Sequence, residues 1–251
     1  MYNSFSAIPE TELIPIIKHN FLQKVVNKSK IQDDYSVGEE FRSQYGIPDL
    51  LFYNFDNDVL IKRKEKKIEP ILSKDVLKTL LLIQNKKKIT LSFLQENLPL
   101  NKDVIKNKVI RYLLNNNYLN RSSADCESYW VGDNTYESCM NDVFAVEAKI
   151  SNWKRGFYQA YRYKWFSHYS FLALQKKFVQ PAVKNIILFK EHNIGLITVD
   201  TDINSINVLF QPKKQKPFSK EISSLTFERL FADYLEKKAE SHTAQSSPLT
   251  I

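Results

Sequence analysis

The sequence predicts an α/β protein: a mixed sheet flanked by helices, with a small basic module inserted between two central strands. Three observations carry this. Val143-Phe144-Ala145-Val146-Glu147-Ala148-Lys149 is an apolar run closing in Glu-x-Lys, and strands covered on both faces read as unbroken apolar runs. Gly46-Ile47-Pro48-Asp49-Leu50-Leu51-Phe52-Tyr53 gives a second strand, with Pro48 confined to its start or edge. Between them the apolar period becomes helical and lysines accumulate.

The elements follow in order. Residues 9–27 place Leu13, Ile16, Ile17, Phe21, Leu22 and Val25 at helical spacing. Residues 35–41 read as a first strand, 48–53 as the next and 54–58 as a turn. The module occupies residues 61–132. Ser73 caps a helix running to Gln84, and Thr90 caps a second that stops before Pro99. A third spans residues 101–116, and residues 118–121 and 129–132 pair as a hairpin. A further helix follows Asn152, dense in Tyr158, Tyr161, Tyr163, Trp165 and Phe166 among basic residues; these fit either core packing or base stacking. Strands at 169–174 and 206–210, a loop and strand over 193–200, a helix within 178–192 and another at 224–239 complete the body. The body is thus residues 1–60 and 133–240. Residues 241–251 are polar and are expected to be disordered.

The ends of the two diagnostic strands carry the chemistry. Glu147 and Lys149 lie two residues apart, so an extended strand turns both to one face. Asp49 opens the other strand, and neighbouring strands would set it against Glu147. Two carboxylates with main-chain carbonyls suit Mg²⁺ or Mn²⁺. A lysine beside such a metal orients or deprotonates a water and stabilises charge on a phosphate.

Pro48-Asp49 followed by Glu147-Ala148-Lys149 resembles the PD-(D/E)xK nuclease superfamily, the restriction-endonuclease-like fold. The resemblance spans about residue 10 to about residue 200, apart from the insertion. It implies a metal-dependent DNA endonuclease in which Asp49, Glu147 and the Ala148 carbonyl hold Mg²⁺ or Mn²⁺ and Lys149 positions the water. It also implies an acidic residue on the helix before the first core strand. Glu12 fits best because it sits inside the apolar periodicity, with Glu10 and Glu40 as alternatives. Gln159 and Tyr163 match a Gln-x-x-x-Tyr pattern on the following helix. There Gln159 would orient the nucleophile or Lys149, and Tyr163 would support the helix or touch phosphate.

The module's three helices and hairpin resemble a winged helix, whose third helix enters the major groove. Asp103, Lys106, Asn107 and Arg111 would face that groove, with Lys102 beside them. Residues 61–121 hold fifteen Lys and Arg against five Asp and Glu, a net of +10 in a chain of net +8. That concentration is the footprint of a polyanion. The expected partner is double-stranded DNA, with a homodimer or a targeting protein as further possibilities and no membrane. The N-terminus lacks the basic and apolar regions of a signal peptide, and no run of eighteen apolar residues exists. Cys126 and Cys139 suit reduced thiols, so a cytoplasmic protein is expected. A non-catalytic DNA-binding regulator on a nuclease scaffold and a ribonuclease using the same metal chemistry are the rival readings.

Overall fold

Continuous apolar runs become the central strands here, and most helices carry an apolar period of 3.6. The computed structural model describes residues 9–26, 35–121 and 127–245. In chain order the strands are β1 (Ser36–Glu39), β2 (Leu50–Phe55), β3 (Lys88–Thr90), β4 (Leu119–Arg121), β5 (Ser128–Val131), β6 (Met140–Lys149), β7 (Tyr169–Gln175), β8 (Gly195–Asp200) and β9 (Ser205–Phe210). The α-helices are α1 (Leu13–Val25), α2 (Asn57–Glu65), α3 (Lys74–Ile83), α4 (Leu91–Asn97), α5 (Lys102–Val104), α6 (Arg111–Asn115), α7 (Trp153–Tyr163), α8 (Gln180–Lys184), α9 (Ile186–Glu191) and α10 (Lys220–Gln245). The chain divides into Met1–Asp56 with Met140–Ser223, and Asn57–Cys139 with Ser224–Ile251.

The first unit is built on a six-stranded mixed sheet of order β1-β2-β6-β7-β8-β9. The β6–β7 and β7–β8 pairs are parallel and the others antiparallel. Helix α1 packs Leu13, Ile17 and Phe21 on one face, against Phe52, Phe144, Val146, Ala148 and Phe171. The Phe21 and Phe52 rings stack 4.3 Å apart. On the other face Phe157 and Ala160 of α7 and Phe189 of α9 pack against Leu172, Leu174 and Leu196. The sheet is therefore a middle layer, which explains why β6 reads as an apolar run.

The second unit orders its elements as two helices, a strand, two helices, two strands and a closing helix. Ser73 Oγ accepts from the Val76 N–H (3.4 Å) and Thr90 Oγ1 from the Phe93 N–H (3.2 Å), as the caps predict. Strand β3 was not foreseen; it joins the hairpin in an antiparallel sheet of order β3-β5-β4, so the second helix begins after Thr90. The third helix starts at the Asn101 cap and widens into a π-helical stretch, Ile105–Ile110, between α5 and α6. Helix α2 occupies part of the expected turn; its only buried residue is Arg63, so no apolar period announced it.

The unit boundaries differ from those read in the sequence. Helix α10 supplies the second unit from Ser224 onward rather than the body. Leu225 joins the apolar core of residues 71–136. Glu228, fully buried, receives both ends of the Arg63 guanidinium (2.9 and 2.6 Å) and the Ile71 N–H (2.8 Å). Helix α10 also runs on through Gln245, past the expected start of a disordered tail. Ala239, Glu240, Ala244 and Gln245 are helix formers, and the first Pro comes only at 248. Residues 246–251 and Cys126 lie outside the described residues. Among the described residues no helix is long and apolar enough to cross a membrane.

These boundaries change the charge argument. Asn57–Cys139 holds fifteen basic and ten acidic residues, and Ser224–Ile251 three and four, a net of +4. The other unit is also +4. The basic excess of residues 61–121 is thus diluted by its structural neighbours, and any nucleic-acid reading must rest on local surfaces.

Candidate functional site

The site forms where β2 begins and β6 ends. Phe144, Val146 and Ala148 point toward α1, so the period of two turns Glu147 and Lys149 toward α7. Leu50 pairs with Val146, which brings Asp49, one residue ahead of β2, opposite Glu147 and within reach of the Ala148 N–H. Asp49 Oδ2 accepts the Ala148 N–H at 2.7 Å. Lys149 Nζ contacts Glu147 Oε1 at 2.7 Å, Glu10 Oε2 at 3.0 Å and the Ala148 carbonyl at 3.0 Å. Tyr163 Oη hydrogen-bonds Glu147 Oε2 and lies 3.0 Å from the Ile47 carbonyl. Glu147 is 1% exposed and Lys149 7%, so the charges are paired inside the protein, as burial demands.

Burial pushes the Asp49 carboxyl up, against the pull of the Ala148 N–H and Lys149. Burial likewise raises the Glu147 carboxyl despite Lys149 and Tyr163. For Lys149 burial alone would lower the ammonium, but Glu147 and Glu10 outweigh it and hold it raised. Burial and then the Glu147 charge keep the Tyr163 phenol far above its usual range. Lys149 is thus a firmly charged ammonium beside two carboxyls that hold protons more readily than usual.

Asp49, Glu147, Ala148 and Lys149 come together as expected. Glu12 does not join them: it is exposed, and Glu10 makes the contact with Lys149. The reason is local. Glu10–Glu12 is a 3₁₀ turn ahead of α1, so the helical period of α1 cannot be extended back through it. Glu40 donates its N–H to the Asp49 carbonyl (3.3 Å). With Glu10, Glu39 and Asp49 it lines a cavity of about 450 Å³. On α7, Tyr163 hydrogen-bonds Glu147, and the buried Gln159 Oε1 has no hydrogen-bond partner among the described residues.

Two glycines were missed. A Cβ on Gly156 would meet Leu172 Cδ1 at 2.5 Å and Lys149 Cγ at 2.9 Å. Gly46 has φ +140° and presses on the Tyr163 ring, 2.9 Å from where its Cβ would lie. A glycine inside a helix, as Gly156 is, costs about 1 kcal/mol relative to Ala, and that oddity was the available signal.

In the second unit Lys106, Asn107 and Arg111 line a groove of about 670 Å³ with Asn120, Arg121 and Tyr129 of the hairpin. Lys102 is not among its lining residues. Lys102 and Lys106 both reach Glu127 (3.2 and 3.3 Å), so part of the expected basic surface is neutralised.

No family model, curated protein or solved structure matches this chain. Among the described residues no three His, Cys, Asp or Glu side chains are grouped to hold a metal. What converges is a set of oxygens from Glu147, Glu10 and the Ala148 carbonyl, all within 3.0 Å of one cationic nitrogen. Hard oxygens are the donors that Mg²⁺ and Mn²⁺ take; here they hold the Lys149 ammonium.

Proposed function

We propose that the protein is a metal-dependent nuclease of the PD-(D/E)xK type whose second unit is a winged-helix-like DNA-binding module. The observation that carries this reading is the meeting of Asp49 with Glu147 and Lys149 around the Ala148 peptide, across 98 and 100 residues of sequence. Asp49, Glu147 and the Ala148 carbonyl would hold the metal, with Glu10 in place of Glu12. When bound, the metal would activate a water and neutralise phosphate charge. Lys149 orients that water and meets developing negative charge. Tyr163 fixes Glu147, and Gln159 has an acceptor free for the nucleophile. The groove of Lys106, Asn107, Arg111 and Arg121 offers donors for bases and phosphates.

The test is a cleavage assay over duplex DNA, single-stranded DNA and RNA with Mg²⁺ or Mn²⁺. Cutting should require the metal and fall by at least about 10²-fold in Asp49→Ala and Glu147→Ala. Full activity in EDTA or in both variants overturns the reading. One observation favours a second reading, a non-catalytic DNA binder: both Glu147 oxygens are already engaged, by Lys149 and Tyr163. Binding without any cleavage in the same assay would select it.

A further inference from the structure

Helix α7 presents a second face that the site does not use. Gly156, Phe157, Ala160 and Tyr163 form its buried side. Arg155, Tyr158 and Arg162 are exposed at i, i+3 and i+7, so they form one stripe. Tyr158 is 69% exposed, an unusual fate for an aromatic residue. Arg162 is anchored: its Nε donates to the Tyr45 carbonyl at 3.1 Å. It pairs with no carboxylate among the described residues. Its terminal nitrogen lies 3.6 Å from where a Gly46 Cβ would be, on the loop that leads to Asp49. Its charge also acts on the Tyr163 phenol that holds Glu147. A guanidinium fixed at Nε keeps its terminal amino groups as a fork, the geometry that binds phosphate.

We propose that this stripe is a track for one nucleic-acid strand, with Arg155 and Arg162 on backbone phosphates and Tyr158 stacked on an unpaired base between them. The inference rests on the nuclease reading and adds to it a strand-binding surface on the body itself, at the rim of the site. The two arginines lie about 10 Å apart along the helix axis. Alternation of cation and aromatic is the pattern that holds single strands, because every base offers a face for stacking. No acidic side chain interrupts the stripe.

The experiment is fluorescence anisotropy on the full chain in EDTA, with single-stranded DNA, single-stranded RNA and duplex DNA of one sequence. Arg155→Ala and Arg162→Ala should each weaken single-strand binding and reduce the slope of log affinity against log salt by about 0.7. Tyr158→Ala should weaken it roughly tenfold with the slope unchanged, and Tyr158→Phe should not. Lys184→Ala, an exposed cation on another helix, controls for bulk charge. The DNA and RNA arms distinguish the sugar. If the parent binds while both arginine variants keep its affinity and slope, the track is overturned and the nuclease reading stands. If the parent binds none of the three polymers, both fall.

Discussion

Single residues decide whether the acid–lysine cluster can work. Gly156→Ala would push a methyl group into Leu172 and the Lys149 stem. Overpacking of this kind costs about 1–3 kcal/mol. Because Lys149 must move, cleavage should fall further than the stability loss accounts for. Rates measured well below the unfolding midpoint, compared with urea midpoints, separate the two effects. Lys149→Ala should slow cleavage severely with little change in oligonucleotide affinity, read by single-turnover kinetics beside anisotropy; a variant that cuts normally would reduce Lys149 to a partner of Glu147. His168 makes a different prediction. Its Nδ1 accepts the Val143 N–H at 3.1 Å, and burial, then the Lys214 charge, hold the imidazole down to about 4 against the pull of Asp142. The unfolded imidazole titrates near 6.5, so the unfolded chain takes up the proton first. This contribution is complete above about pH 6.5 and is lost as the pH falls toward 4, by up to about 3 kcal/mol. His168→Gln should flatten the decline in urea midpoint between pH 7 and 4.5. The triad of Asp49, Glu147 and Lys149 was legible because strand period and Pro punctuation are local rules. Glu10 was not, since choosing it over Glu12 depends on one 3₁₀ turn.

Among the elements, those with an apolar period were legible and those held by polar contacts were not. Strands β2, β6 and β7 declare themselves by continuous apolar sequence. Helix α2 is held by one buried arginine, whose partner Glu228 lies 165 residues away. The Arg63 guanidinium also lies over the Tyr136 and Phe231 rings, at 5.9 and 5.3 Å. Removing one side of a buried, hydrogen-bonded pair leaves the other charge stranded. Glu228→Ala should therefore cost about 3–5 kcal/mol, and Arg63→Met with Glu228→Leu should recover most of it; thermal unfolding of the three proteins checks this. Strand β3 was hidden because its three residues, Lys88-Ile89-Thr90, run straight into the cap of α4. The π-helical turn in the third helix has no sequence signal that we can name.

At the scale of the whole molecule, the class was legible from the chain because alternating apolar periods leave few layer arrangements. The exact units were not, because Ser224–Ile251 returns to the inserted segment through side chains such as Leu225, Glu228 and Phe231, far from their partners in sequence. A chain ending at Ser223 should keep the sheet unit folded while the second unit loses protection. Hydrogen exchange resolved by peptide would show amides of residues 71–121 exchanging faster and those of β6 unchanged. The point of insertion has a consequence of its own. Phe55, at the end of β2, pairs with Met140, at the start of β6, across one antiparallel ladder. Topologically these strands are a hairpin whose turn has been replaced by residues 57–139. The opening lies at the far end of the strands from Asp49 and Lys149, about 20 and 30 Å away respectively at strand rise. On the nuclease reading, a module spliced in there can be lengthened or exchanged without rebuilding the Asp49–Glu147–Lys149 end of the strands.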